Sequence, residues 1–289
     1  MKRNTTKIAL GLGAMSAIGL AAAPVAAHHW WGGYAWAFDG TELSMPVVDN
    51  TSGVWNGHVA QANADWNQST VIQSPLEYGN NSSCNMVTGT IQVCNADYGA
   101  NGWLGLATIS ISGSEIRAGS TKLNDNYFNQ DRYNNYTWRQ LVTCQEIGHD
   151  YGLAHQNEDF STDLTTSCME YTSNPEGNEG PDGHDFDQLL TIYGGGGGSG
   201  GDTGDGGGGG KGGGKGGGKP DGGPGGGKGK NKARVALPDV GNTPATWGRP
   251  TAFLPNGKPF IFERQSNGMK FITHVTWAPD EDGHGDHAH

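Results

Sequence analysis

The apolar side chains between residues 54 and 68 recur at the spacing of an α-helix. Trp55, Val59, Ala62 and Trp66 are three or four positions apart and so fall on one helical face. The residues between them are mostly polar. This pattern predicts an amphipathic helix that packs its apolar face against a core.

A second helical period runs through the segment TWRQLVTCQEIGHDYG. Thr137 and Gln140 have the spacing of a capping box, which predicts that the helix starts there. Gly152 is the residue type that commonly follows a last helical turn. Between the two helical segments, residues 90–99 and 103–125 have the composition of strands. The order of helix, strands, helix and loops predicts an α+β domain over residues 28–193.

A glycine-rich tract follows at residues 194–232 and contains six lysines. Glycine without a strict period cannot bury a core, so the tract predicts a flexible linker. Residues 233–289 contain two β-like runs, at 259–263 and 270–276, next to Pro-Asn-Gly and Ser-Asn-Gly turns. We interpret this last region as a small β-module or a disordered tail.

Residues 1–27 have the three parts of a secretory signal. Lys2, Arg3 and Lys7 supply positive charge, an apolar centre follows, and small residues precede His28. The apolar stretch is shorter than the roughly 20 residues that a membrane-spanning helix needs. We therefore expect a cleaved signal and a secreted protein without a membrane span.

Charge is distributed unevenly along the chain. Residues 28–193 carry 4 basic and 20 acidic residues, a net charge of −16, whereas residues 194–289 carry 11 basic and 9 acidic, a net charge of +2. An acidic domain repels nucleic acid and anionic lipid, so neither is expected as a partner. We expect a monomer, and we assign any surface contact to the linker and the C-terminal tail.

Four cysteines, Cys84, Cys94, Cys144 and Cys168, predict two disulfides in an exported chain. Three pairings are formally open, and no C-x-x-C spacing favours a structural zinc site instead. We favour Cys84–Cys94, which closes a short hairpin-like stretch. Each disulfide would stabilise the fold by about 3 kcal/mol in the chain-entropy model.

The segment QEIGHDYGLAH has the spacing of the zinc-protease motif H-E-x-x-H-x-x-G-x-x-H, with glutamine at its first position. Residues four apart share a helical face, so Gln145 and His149 point to one place. Gly152 permits the sharp turn that returns His155 to it. These three side chains are predicted to hold Zn²⁺, because catalytic zinc takes three protein ligands and keeps one position open. Glu146 is then the general base for a metal-activated water.

On these motifs residues 30–193 resemble the metzincin metalloendopeptidases, most closely their bacterial matrixin-like branch. The family has a tight Met-turn whose methionine lies beneath the metal, and the segment TSCMEYTSNP places Met169 there. Tyr171 lies where some members keep a tyrosine that binds the metal or donates a hydrogen bond to the transition state. The segment GHDFDQLLTIY is similar to the closing helix of the matrixin type.

The resemblance implies a metzincin-like catalytic domain with a twisted sheet, an active-site helix and a Met-turn. It implies a secreted zinc-dependent endopeptidase that acts on a protein or peptide substrate, with Glu146 and Tyr171 as catalytic residues. It also favours the pairing of Cys144 with Cys168, because this disulfide would join the metal helix to the Met-turn. No cysteine lies between His28 and Asn80, which excludes a matrixin-style cysteine plug in an N-terminal pro-segment.

Gln145 departs from the family pattern. Its amide oxygen is neutral and reaches about as far as the distal histidine nitrogen, but zinc prefers nitrogen and sulfur to an amide oxygen. We therefore expect weaker metal retention with less effect on the chemistry. The alternative is a catalytically inactive metzincin fold kept for binding or adhesion. His184 and Asp185 are further candidate ligands, and Asn- and Asp-rich joints are candidate structural Ca²⁺ sites.

Overall fold

The computed structural model describes residues 29–38, 42–160, 166–194 and 234–279. The segments outside these ranges include the expected signal segment, residues 195–232 of the glycine-rich tract, and the histidine-containing end of the chain at 280–289. Within the described residues, none of the helices combines the length and the apolar character needed to cross a bilayer.

Nine strands and five helices occur in the described residues. The strands are β1 (Ala35–Trp36), β2 (Val47–Asp49), β3 (Leu76–Tyr78), β4 (Ile91–Ala96), β5 (Trp103–Ser112), β6 (Glu115–Asn124), β7 (Arg249–Phe253), β8 (Pro259–Ser266) and β9 (Met269–Trp277). The helices are α1 (Trp55–Trp66), α2 (Asp125–Phe128), α3 (Tyr136–Asp150), α4 (Gly183–Tyr193) and α5 (Pro244–Trp247).

One mixed sheet contains all of these strands. Its order is β3-β2-β4-β6-β5-β9-β8-β7, and β1 pairs separately with β6. The strands on the β3 side of β6 pair in parallel, whereas β5 is antiparallel to both of its neighbours, β6 and β9. The expected α+β class is confirmed.

The region after the glycine-rich tract extends the main sheet. Both β-like runs are observed, as β8 and β9, and β9 pairs with β5 from Trp277 opposite Trp103 to Lys270 opposite Ile111. Phe271 to Trp277 are all buried. β9 lies between β5 and β8 inside the sheet, and the continuous run of buried positions is what a strand covered on both faces shows.

The two helices predicted from apolar spacing are present, with one difference at the start of α3. Helix α1 buries the predicted tryptophan-containing face. Helix α3 is capped by Asn135, whose side chain accepts a hydrogen bond from the Trp138 backbone N–H at 3.0 Å. The predicted capping box of Thr137 and Gln140 is therefore wrong. Asparagine is a stronger N-cap than threonine and stands two positions earlier.

Helices α1 and α3 meet at Gly148. A Cβ added there would lie 2.6 Å from the Trp66 ring and 2.5 Å from Met169 Sδ. The Trp66 indole N–H also donates to the Cys144 carbonyl oxygen at 3.0 Å. The glycine thus allows the close approach that brings the Met169 turn against α3.

Gly148→Ala is expected to lower the free energy of unfolding by about 1–3 kcal/mol, because overpacking outweighs the better helix propensity of alanine. Gly57→Ala is the matched control: Gly57 is an exposed residue of α1, and no atom lies within 4 Å of an added Cβ. Gly57→Ala is expected to raise the free energy of unfolding by about 0.5–1 kcal/mol. Urea denaturation of both variants measures the difference, and equal effects would contradict the close packing at Gly148.

Candidate metal centre

Helix α3 and the turn after it bring two histidines together. The turn is made at Gly152, where φ is +97° and an added Cβ would lie 2.9 Å from the Tyr34 carbonyl oxygen. Only glycine readily adopts such a conformation. The chain therefore reverses at once, and His155 Nε2 comes to lie 3.1 Å from His149 Nε2.

The tautomer of His149 follows from its hydrogen bond. Its Nδ1 lies 2.8 Å from the carbonyl oxygen of Leu153, which can only accept, so Nδ1 carries the proton. The Nε2 lone pair is then free to face His155. Orientation of a ligand histidine by a backbone carbonyl is a common feature of metal sites.

A third histidine joins this pair from the other end of the chain. His274, on β9, lies with its ring centre 3.7 Å from that of His149 and 4.4 Å from that of His155. Successive side chains of a strand alternate between its faces, so His274 and Thr276 share the face that points to α3. The sequence motif did not indicate His274. The only signal was a histidine within a run of otherwise strand-forming residues.

The cluster of His149, His155 and His274 has the properties of a zinc site. One ring nitrogen from each lies within 4.8 Å of the others. Two nitrogens bound tetrahedrally to one zinc ion at about 2.1 Å lie roughly 3.4 Å apart, similar to the 3.1 Å between the Nε2 atoms of His149 and His155. In addition, His155 Nδ1 and both ring nitrogens of His274 are buried without a hydrogen-bond partner. Buried polar atoms of this kind need a partner, and a bound cation would supply one for one ring nitrogen of His274.

Burial also sets the protonation of these rings. It lowers the pKa of His149 to about 4 and the pKa values of His155 and His274 well below the ordinary histidine range. All three imidazoles are therefore neutral at pH 7 and keep a lone pair for a metal. Within the described part of the chain, no other group of three or more His, Cys, Asp or Glu side chains is close enough to hold an ion. The expected Ca²⁺ sites gain no support from such a group.

Gln145 is fully hydrogen-bonded to protein groups. Its amide nitrogen donates to the carbonyl oxygens of Cys168 and Glu170 at 2.8 and 3.1 Å. Its amide oxygen, the atom predicted to bind the metal, accepts a hydrogen bond from the Thr276 hydroxyl at 2.6 Å. In this arrangement Gln145 supports the Met169 turn, and His274 is the third member of the histidine cluster.

Glu146 lies beside the cluster in a closed environment. Its side chain is fully buried, and the nearby Thr276 hydroxyl favours the charged carboxylate. Burial, together with the nearby negative charge of Asp150, raises the pKa of Glu146 well above its ordinary value. A raised pKa of this kind is typical of a carboxylate that exchanges protons during a reaction.

The Met169 turn packs against helix α3. Met169 is fully buried against Gly148, and the Cys144–Cys168 disulfide joins the residues that precede Gln145 and Met169. The other expected disulfide, Cys84–Cys94, is also present. Both disulfides thus agree with the favoured pairing.

Two further sequence candidates are engaged elsewhere. The Tyr171 ring lies next to His155, with ring centres 4.1 Å apart, and its hydroxyl donates to the Val275 carbonyl oxygen at 2.6 Å. Asp185 accepts hydrogen bonds from Ser167 and Gln156 at 2.5 and 2.8 Å. Asp185 therefore holds the two loops together and does not belong to the histidine cluster. His184 does not belong to it either.

Comparison with known proteins gave three solved structures of interest. The hatching enzyme zinc-protease HCE-1 of the medaka fish Oryzias latipes is 13% identical, with a TM-score of 0.32 over 56% of this chain and 94% of that chain. Two structures of myroilysin are 14% and 15% identical, with TM-scores of 0.31 and 0.33 over 53% and 56% of this chain and 86% and 84% of theirs. No protein-family model and no curated protein matches the chain. Similarity at this level says nothing about activity.

Proposed function

We propose that this protein is a secreted, zinc-dependent endopeptidase of the metzincin type. The observation that carries the proposal is the convergence of buried ring nitrogens from His149, His155 and His274, with the buried carboxylate of Glu146 on the same helix as His149. The motif spacing supports the same function. The two disulfides and the predicted signal segment support export.

The roles of the residues follow from their positions. A bound zinc ion would supply a Lewis acid that polarises the scissile carbonyl and acidifies water. Glu146 takes the proton of the attacking water and delivers it to the leaving amine, a role open to a carboxylate on the same helix as His149. His149, oriented by the Leu153 carbonyl oxygen, keeps its Nε2 lone pair directed into the site. Tyr171 could donate a hydrogen bond to the reacting carbonyl once its hydroxyl leaves the Val275 oxygen.

Metal binding gives the first test of the proposal. We expect one zinc ion per chain by elemental analysis, and a rise in unfolding free energy of about 2.7 kcal/mol when free zinc is 100 times its Kd. His149→Ala should abolish both, because the ion loses a ligand. His58→Ala is the matched control, since His58 is also buried but bonds to Gln140 Oε1 at 2.9 Å, outside the cluster. Equal zinc contents in His149→Ala and His58→Ala would contradict a zinc site that includes His149.

Catalysis is tested separately by cleavage of casein and of gelatin. The full chain and its His274→Ala variant are assayed after chelator treatment and again after zinc is restored. In the full chain, in the His274→Ala variant or in both, we expect cleavage activity that is lost on chelator treatment and returns when zinc is added. Zinc binding without any chelator-sensitive cleavage in either form would instead favour the non-catalytic binding protein.

A further inference from the structure

Strand β9 occupies the side of β5 that lies along the candidate catalytic residues. β5 runs directly against α3: a Cβ added at Gly105 would lie 2.5 Å from Glu146 Oε1. One edge of β5 pairs with β6 and the other with β9. A free strand edge accepts an extended peptide by backbone pairing. Without β9, β5 would offer such an edge to a substrate peptide within reach of Glu146.

The same C-terminal residues seal the site. His274 packs on both other histidines, the Val275 carbonyl oxygen takes the Tyr171 hydroxyl, and the Phe260 ring lies 5.9 Å from that of His155. Glu146 and His149 are wholly inaccessible to solvent, and His155 retains 7% exposure. A peptide therefore cannot reach Glu146 while β8 and β9 stay in place.

β9 also determines whether His274 or Gln145 can bind a metal ion in the cluster. The Thr276 hydroxyl holds the amide oxygen of Gln145, the atom that stands at the first ligand position of the motif. Two residues earlier on the same strand face, His274 supplies an imidazole to the cluster. Withdrawal of β9 would remove the imidazole and free the amide oxygen in one movement.

We propose that β9 is a built-in plug, held on the metal by His274, and that its withdrawal exchanges His274 for Gln145 in the ligand set. With a metal ion bound, the His274 nitrogen would leave the ion and the Gln145 oxygen would take its place. Both ligands are neutral, so no proton or electron is transferred. This inference rests on the proposed function. The folded chain with β9 in place is then a latent peptidase, and opening exposes β5 and Glu146 together.

The first experiment measures whether the metal holds β9. Hydrogen exchange is followed for residues 103–112 and 269–277 of the full chain, with and without zinc. Zinc should slow exchange of these amides in the wild-type chain and have no such effect in His274→Ala. Zinc affinity of His274→Ala, measured by competition with a chelating dye, should fall at least about 10-fold. Unchanged affinity together with zinc-dependent protection in His274→Ala would overturn the ligand role of His274.

The second experiment measures cleavage of a fluorogenic peptide at saturating zinc. His274→Ala should cleave faster than the wild-type chain, because the plug has lost its anchor. Thr276→Val should also cleave faster, since it frees the Gln145 oxygen. Thr273→Val is the matched control: Thr273 is equally buried on β9, but on the opposite face, against Thr108 at 3.1 Å.

The third experiment tests the exchange itself. In the His274→Ala chain, Gln145→His should restore zinc affinity, and Gln145→Ala should remove most of what remains. If His274→Ala loses cleavage in parallel with zinc, His274 is a permanent ligand and the exchange is wrong, while the peptidase function stands. If zinc protects β9 through His274 but no variant cleaves any substrate, the peptidase function and the latency fall together.

Discussion

Glu146→Gln is expected to lower kcat by about 10²- to 10⁴-fold, the usual contribution of a general base. The substitution keeps the volume of the side chain in a site where Glu146 is fully buried, so packing against Gly105 should persist. An amide cannot take up the proton of the attacking water. The zinc content should stay at the wild-type level, because Glu146 does not belong to the histidine cluster.

This rate is best measured in the His274→Ala chain, the form expected to be most active, at saturating zinc. Asp65→Asn serves as the control, since Asp65 is a partly buried carboxylate on α1 and lies outside the cluster. Its rate should match that of the parent chain. A Glu146→Gln chain that keeps more than a tenth of the parent rate would mean that another group moves the proton.

Removal of the Cys144–Cys168 disulfide by a double substitution to alanine is expected to lower the free energy of unfolding by about 3 kcal/mol. It should also lower zinc affinity. The reason is local: the disulfide joins α3 to the Met169 turn, and the Cys168 carbonyl oxygen accepts the hydrogen bond of Gln145. Loosening this connection lets the helix that carries His149 shift against its support.

The second disulfide supplies a matched control. Cys84 and Cys94 are also buried. Their sequence separation is 10 residues, and that of Cys144 and Cys168 is 24 residues, so both disulfides close short loops. The double alanine variant of Cys84 and Cys94 should lose about 3 kcal/mol as well, but should keep wild-type zinc affinity. Denaturant unfolding and dye competition provide the two measurements. Equal losses of affinity would show that zinc responds to global stability and not to the Met169 turn.

The elements with a strong local pattern were predictable. Trp55, Val59, Ala62 and Trp66 repeat at helical spacing because one face of α1 is buried, and that burial is observed. The runs that became β8 and β9 were recognised from their composition and turns. The start of α3 was misplaced because Asn135 caps the helix, two positions before the residues whose spacing suggested the cap.

The partner of β9 was not predictable from local pattern. Strand pairing between β5 and β9 joins segments separated by the whole of α3, α4 and the glycine-rich tract. Such pairings depend on hydrophobic faces that meet only in the folded state, and sequence periodicity carries no information about which strand will be the neighbour.

The sequence by itself determined the pair His149 and His155, the proposed base Glu146 and the turn at Gly152, because all of these lie within one short helix-and-turn segment whose geometry is local. Only the tertiary structure decided the third member of the histidine cluster. It placed His274 on the pair and engaged the Gln145 amide with Thr276 and the Met169 turn. The physical reason is that buried polar groups must be satisfied by whatever neighbours the fold supplies, and here those neighbours come from a strand far along the chain.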